Sequence, residues 1–464
     1  MADAVQHREI KGTLKRHPAN PRYFTDDGKR AVYLTGLHTW ANLQDILLTQ
    51  SKEEYLDYGL YLDAMETYNH NFFRLWMFEN AAWAPWTTDK ITFDPLPFAR
   101  TGPGTALDGE PRFNLDLWNE EYFERLRDRV VKAGERGMYA AIMLFQGWSA
   151  NKPVIIRGGK PWDGHPFNKN NNINGVDGEA GNNDGLDAYS LKIPSVISYQ
   201  EAYIKKVIDT VNHLDNVLYE ITNETDSTRD TCRWQYHMIE YIQMCEASMK
   251  KQHPVGMTIP WDGINGQDNS ELLNSPADWV SPCATETVDY KSEPPEGDGR
   301  KVIITDTDHL WGHGGNADWV WKSFLRGLNP IFMDPWFPLP GKQVSGDNND
   351  KNRRDYPDWE PIRVNMGYTL RYAERMNLAE MKPCSNLSSS RYCLANPGHE
   401  YLVYLPENNK VELDIGNSKE RYALELFEPS SGSIKDGGEI FDSGIKKFSS
   451  PFENTSVLYL FRKE

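Results

Sequence analysis

The sequence predicts a (β/α)8 TIM barrel followed by a small antiparallel β-sandwich. Three observations carry this. Eight short, nearly continuous apolar segments recur between residues 31 and 336, the texture of a parallel sheet covered on its outer face. Helix-patterned stretches separate most of them, and eight is the number at which such units close. After residue 385 the pattern becomes alternation of apolar and polar residues with frequent Gly, Pro and Asn turns. The expected boundaries are 1–384 for the barrel and 385–464 for the sandwich. A doubly wound open sheet is the alternative, weakened because no Gly-rich phosphate loop follows the first strand.

The expected strands are "AVYLTGLHTW" (31–40), "NFFRLWMFE" (71–79), "MYAAIMLFQGW" (138–148), "NVLYEITNE" (216–224), "VGMTIPWDG" (255–263), "DWVSPCATE" (278–286), "KVIITDTDH" (301–309) and "GLNPIFMDPW" (327–336). Between them, residues 51–69 show i, i+3, i+4 apolar spacing after a Ser cap, and 119–137 end on Gly as a helix should. Residues 198–214, 233–252 and 317–327 repeat the helical pattern. Long insertions follow strands two and three, at 80–118 and 149–197, on the barrel face where sites are built. The second is rich in Asn, Asp and Gly but lacks EF-hand spacing, so a polar loop is expected, with a calcium site the alternative.

The net charge is −17 with no basic stripe, which argues against binding nucleic acid through phosphates. No apolar stretch reaches the ~20 residues needed to span a bilayer. The opening "MADAVQHREIKG" has no apolar signal core, so the expected location is cytoplasmic, or secreted or periplasmic if a leader was removed. Five cysteines imply no disulfide framework; Cys384 and Cys393 are a candidate pair, and free thiols are the expected state. The 15 Trp exceed what a core calls for, and exposed rings suit sugars.

Residues just past barrel strand ends converge on one mouth. Here they include His38, Trp40, Arg74, Trp76, Trp148, Asn223, Glu224, Trp261, Glu286, Asp306, Asp308, His309 and Trp336. Carboxylates and tryptophans dominate, with no Ser-His-Asp or Cys-His order and no HExxH helix. Paired carboxylates between aromatic walls suit cleavage of glycosidic bonds: one protonates the leaving oxygen, the other attacks carbon or activates water. Glu220 shares a strand face with Glu224, and the expectation for it is a buried, ion-paired structural carboxylate.

"YEITNE" (219–224) resembles the strand-four ending of clan A glycoside hydrolases, the cellulase-like, family 5-like barrels. That resemblance implies Glu224 as acid/base and Asn223 as the residue holding the sugar 2-hydroxyl. Arg74 in "FRLW" is similar to the strand-two Arg of those barrels, and Trp336 in "MDPW" to the strand-eight platform. "YCLANPGHEYLVYLP" resembles the collagen-binding-type β domain that follows apiosidase-like barrels.

Clan A barrels end strand seven on a Glu nucleophile, whereas this chain reads "IITD". Asp306 therefore takes the nucleophile place, and Asp308 would share its strand face about 7 Å away. An Asp is one carbon shorter, which moves the carboxyl separation part of the way from the retaining towards the inverting range; retention leads and inversion is the alternative. The expected activity is hydrolysis of O-glycosidic bonds in an oligo- or polysaccharide, by Glu224 and Asp306, with no cofactor and no metal. Arg74, Asn223, His38, Trp40, Trp76, Trp148, Trp261, Glu286, Asp308, His309 and Trp336 are the expected substrate contacts. The rivals are a non-catalytic sugar-binding protein on a degenerate barrel, and metal-dependent hydrolysis through Asp306, Asp308 and His309.

Overall fold

The computed structural model describes residues 8–48, 56–150, 159–181, 184–225, 229–258, 269–341, 350–406, 409–417, 420–441 and 443–463. All eight expected barrel strands form: β1 (Gly36–His38), β2 (Phe72–Leu75), β3 (Tyr139–Gln146), β4 (Val217–Asn223), β5 (Val255–Thr258), β6 (Trp279–Ser281), β7 (Val302–Asp306) and β8 (Asn329–Met333). They lie in one sheet in the order β1-β8-β7-β6-β5-β4-β3-β2, with every neighbouring pair parallel. Each strand is shorter than expected, because the polar residues beyond each apolar run leave the ladder.

Asn71 knits the seam between β1 and β2. Its amide accepts from Thr35 N–H and donates to the Tyr33 carbonyl, and its backbone N–H donates to the Thr35 carbonyl. The strands meet so closely that a Cβ on Gly36 would stand 2.3 Å from the Phe72 carbonyl oxygen, so no larger residue fits there.

Helices alternate with the strands: α1 (Tyr58–Thr67), α2 (Glu120–Glu135), α3 (Pro194–Val211), α4 (Arg229–Glu246), α5 (Ser270–Asn274), α6 (Thr307–Leu310), α7 (Ala317–Leu325) and α8 (Trp359–Arg375). The first helix starts later than expected, capped by the Asp57 carboxylate on Leu60 N–H. The expected cap, Ser51, lies outside the described residues.

Alternation along the strands sets up the site. Leu34, Phe72, Leu218, Trp279, Val302, Ile304 and Ile331 belong to one buried apolar cluster. His38, Arg74, Glu220 and Asp306 have the same parity and come two or more residues later on β1, β2, β4 and β7, so they form a charged layer directly above it.

The chain then forms β9 (Lys382–Pro383), β10 (Cys393–Asn396), β11 (Glu400–Leu405), β12 (Lys410–Asp414), β13 (Arg421–Glu428), β14 (Ser433–Phe441), β15 (Ile445–Ser449) and β16 (Ser456–Arg462). Six make an antiparallel sheet in the order β9-β10-β11-β16-β13-β14, and β12 pairs with β15. Period-two patterning splits the six-stranded sheet. Leu394, Leu402, Tyr404, Val457 and Tyr459 pack towards Trp321, Phe324, Leu370 and Tyr372 of α7 and α8. Cys393, Ala395, Val403, Leu405, Leu458 and Leu460 pack towards Val411, Leu413 and Phe448 of the two-stranded sheet. The sheet begins at Lys382, just ahead of residue 385. Cys384 and Cys393 are free thiols. Among the described residues no helix is long and apolar enough to cross a membrane.

Candidate active site

Arg74 organises the barrel mouth from β2. Its Nε donates to Glu220 Oε2 at 2.9 Å, and Nη2 donates to Glu220 Oε1 at 2.5 Å and Asn223 Oδ1 at 2.6 Å. Its Nη1 donates to Asp306 Oδ2 at 2.9 Å and Asp308 Oδ2 at 3.0 Å. A guanidinium has five N–H groups, and these contacts use all of them. Arg74 is expected from the sequence to touch substrate; the structure instead buries it and leaves it nothing to donate. Glu220 is the ion-paired structural carboxylate expected.

Asp306 ends β7 and caps α6, its Oδ1 accepting from Asp308 N–H at 2.9 Å. The same oxygen lies 2.9 Å from His38 Nε2. The Trp76 indole N–H reaches His38 Nδ1 at 2.8 Å. An indole can only donate, so Nδ1 accepts and Nε2 carries the proton that His38 gives to Asp306. Burial holds the His38 pKa below its ordinary value, in keeping with this neutral tautomer. Burial also works to raise Asp306, but contact with His38 and Arg74 outweighs it and holds the carboxyl well below the usual range. Asp306 is 0% exposed and carries three donated hydrogen bonds. Asp306 in the expected nucleophile place is thus buried and fully bonded, and so is His38, with both nitrogens engaged.

Asp308 goes elsewhere because the strand does not persist that far. The chain turns into α6 at Thr307, so strand alternation no longer sets its direction. It lines a small cavity together with Trp40, Trp76, Phe78, Trp86, Gln146, Trp148 and Asn223. Burial first, then the nearby Glu224 charge, push Asp308 well above the ordinary carboxylate range. Charge counting agrees. Glu220, Asp306 and Asp308 surround a single guanidinium, and both histidines beside them are neutral. Glu220 accepts two bonds from Arg74 and Asp306 accepts three from its surroundings, while Asp308 accepts one from Arg74. Asp308 is therefore the least supported of the three as an anion.

Glu224 follows β4 with φ +43°, a left-handed backbone that non-glycine residues rarely adopt and that is found at functional sites. Its Oε2 accepts from the Trp148 indole N–H. A Cβ on Gly147 would stand 2.2 Å from the Glu224 carbonyl oxygen, so glycine there is what lets the two loops meet.

Asn223 Oδ1 accepts from Arg74 and lies 3.0 Å from His309 Nε2, and its Nδ2 donates to Gln146 Oε1 at 3.2 Å. This fixes the amide orientation and leaves one N–H towards the cavity. His309 also sits 2.7 Å from the Ser281 hydroxyl through Nδ1. Burial, then the Arg74 charge, lower its pKa to about 3. With both nitrogens engaged, His309 orients Asn223.

The tryptophans meet as a box. Trp40 lies 5.8 Å from Trp76, 5.2 Å from Trp86 and 6.1 Å from Trp148 between ring centroids. His313 stacks on Trp40 at 5.7 Å. Trp86, Phe78, His313 and Ser281 are absent from the residues the sequence singles out: they come from loops or small strand-end residues that no strand pattern flags. Trp336 instead packs against Tyr68, with Arg354 and Arg363 over its ring. β8 ends three residues before it, so its direction is set by the loop and not by the strand. Glu286 is exposed, five residues beyond the end of β6. Trp261 lies outside the described residues.

Ligand atoms of Asp306, Asp308 and His309 lie within 4.8 Å of one another, the spacing of a metal site. The cation between the two aspartates, however, is Arg74, and Ser281 occupies the Nδ1 of His309. The donor set is spent on the protein itself and does not fit a metal. The asparagines described in the insertion after β3 are likewise bonded within the protein. Asn168, Asn171, Asn172 and Asn174 accept backbone N–H groups, and the first three donate to carbonyls.

A family model described as a domain of unknown function, DUF6298, matches residues 41–268. No curated protein matches the chain. Among solved structures, a glycoside hydrolase family 5 protein from Bacteroides vulgatus ATCC 8482 is similar at 12% identity and a TM-score of 0.58, covering 98% of this chain and 95% of that one. A second, described as a glycoside hydrolase, is similar at 12% identity and a TM-score of 0.57, covering 98% of each chain. The chain shares their fold. That likeness runs through both the barrel and the C-terminal sheets.

Proposed function

We propose that this chain is a glycoside hydrolase that cleaves O-glycosidic bonds through Glu224 and Asp308. One observation carries the reading: Asp308 lines a tryptophan-walled cavity, and the nearby Glu224 charge adds to burial in raising it above the ordinary carboxylate range. Two carboxyls that share one proton beside an aromatic wall are what glycosidic cleavage needs. In this reading the Asp308 carboxyl protonates the leaving oxygen as the glycosidic bond breaks, and the Glu224 carboxylate, held by Trp148, attacks the anomeric carbon. Retention of configuration is the outcome this reading expects, and the anomer of the first product tests it. Asn223, with one amide N–H unspent, holds a sugar hydroxyl. Its support in fold is the likeness to glycoside hydrolase structures.

A second reading exchanges the two roles. The Arg74 bond to Asp308 favours it, since a cation at the carboxylate suits a nucleophile, and so does the strand-four Asn-Glu resemblance. A panel of aryl glycosides tests both. Wild type is expected to turn over at least one, with the anomer of the first product read by NMR. The acid variant should keep activity on substrates with good leaving groups, whereas the nucleophile variant should lose all substrates and regain product with azide. Binding without turnover across the panel would make the protein a sugar-binding one instead.

A further inference from the structure

Four indoles line the cavity, and three of them have committed their N–H groups. Trp76 donates to His38 Nδ1, Trp148 to Glu224 and Trp40 to Met333 Sδ. The Trp86 N–H is buried and has no partner among the described residues. A buried donor left unpaired is costly, and where it persists in a site it is commonly completed by a ligand or an ordered water. Trp83, Trp279 and Trp336 also have unpartnered indole nitrogens, but none of them lines this cavity. It is the coincidence of an unspent donor with the cavity wall that singles out Trp86.

The ring is locked. Trp86 lies 5.2 Å from Trp40, 5.7 Å from Phe78, 6.3 Å from Trp148 and 6.2 Å from Phe93, the last edge-on at 84°. A ring packed on four sides cannot swing to find another acceptor, so its N–H stays where the fold puts it. The other polar groups of the cavity belong to Asp308, Asn223 and Gln146, and Gln146 Oε1 already accepts from the Asn223 amide and the Trp148 backbone N–H.

Resting on the hydrolase reading above, we propose that Trp86 is a specificity-determining residue whose indole N–H donates to one hydroxyl of the bound sugar while the neighbouring rings cover its apolar face. A site built to donate to a hydroxyl discriminates against analogues that lack it.

The test uses the aryl glycoside that wild type turns over best, together with its series of monodeoxy analogues. Trp86→Phe keeps the ring and removes the N–H, with Trp86→Tyr as the second ring-retaining variant should the first fail to fold. The expected result is a fall of about tenfold in kcat/KM on the parent glycoside. One deoxy analogue should be equally poor with wild type and variant, because the hydroxyl that meets the indole is already gone. A variant within twofold of wild type on the parent, or one that loses the same factor on every analogue, overturns the inference and leaves the hydrolase reading standing. If wild type neither binds nor turns over any glycoside of the panel, the hydrolase reading falls and this inference with it.

Discussion

The floor and the wall of the barrel mouth are made from the same strand ends and use their polar atoms in opposite ways. On the floor, Arg74, Glu220, Asp306 and His38 exchange hydrogen bonds with one another and with Trp76, and the guanidinium is used up. On the wall, burial and the Glu224 charge raise Asp308 above the ordinary carboxylate range, and the Trp86 N–H has no partner among the described residues. A network that satisfies itself gives rigidity; chemistry needs groups left short of partners. Asp306 and Asp308 are two residues apart and fall on opposite sides of that division.

The largest expected effect comes from breaking the floor. Arg74→Met leaves Glu220 and Asp306 buried without a cation, and should cost about 3–5 kcal/mol of stability, read by chemical denaturation. A variant as stable as wild type would mean that the floor does not hold the fold. Breaking the wall should spare the fold and remove the chemistry. Asp308→Asn and Glu224→Gln should each lower kcat by about 100- to 10,000-fold on substrates with poor leaving groups. Near-wild-type turnover by either would remove that residue from the mechanism. Gly147→Ala tests the junction: the added methyl collides with the Glu224 backbone, and displacing that carboxyl should lower kcat by up to about 100-fold.

A smaller effect lies in acid stability. His309 titrates at about 3 and His70 at about 4 in the folded chain, both lowered mainly by burial. Their unfolded value is about 6.5, so below it the unfolded chain binds protons that the folded chain refuses. Their contribution to stability is present above that pH and is lost as pH falls towards 4 and 3. Melting temperature should therefore drop between pH 6.5 and 4, and His70→Gln should flatten the slope. A chelator should change least: with Arg74 in the place of a cation, activity is expected to be the same with and without EDTA.

How far the sequence reaches follows the same line. The barrel is legible because a buried parallel strand must be apolar and must end where polar residues begin. The C-terminal sheet is legible from its short apolar strands set between Gly, Pro and Asn turns; β10, β11 and β16 are buried on both faces and read as apolar runs, while β12 alternates. Glu220 and Asp306 are placed correctly on β4 and β7 by parity. Parity fails where the strand stops. Asp306 caps α6, and that single turn sends Asp308 to the cavity and Asp306 to the floor. Trp336 and Glu286 likewise lie beyond the true strand ends, so parity does not set their direction. Trp86 carries no local signal at all: it reaches the cavity only because the insertion after β2 folds back, and the pairing of Asp45–Leu48 with Ile91–Asp94 that frames it joins segments far apart in the chain.

The most direct test of the division between floor and wall is the melting temperature of Asp308→Asn beside that of Asp306→Asn at neutral pH. The folded-state pKa of Asp308 is raised, so from about pH 4 upward the folded chain holds a proton that the unfolded chain has lost, and stability falls as pH rises through that window. An asparagine mimics the protonated form and removes that cost. Asp308→Asn should melt at or above the wild-type temperature, while Asp306→Asn, which turns an amide towards Arg74, should melt lower. Equal losses in the two variants would contradict the account, because Asp308 would then be as much a part of the floor as Asp306.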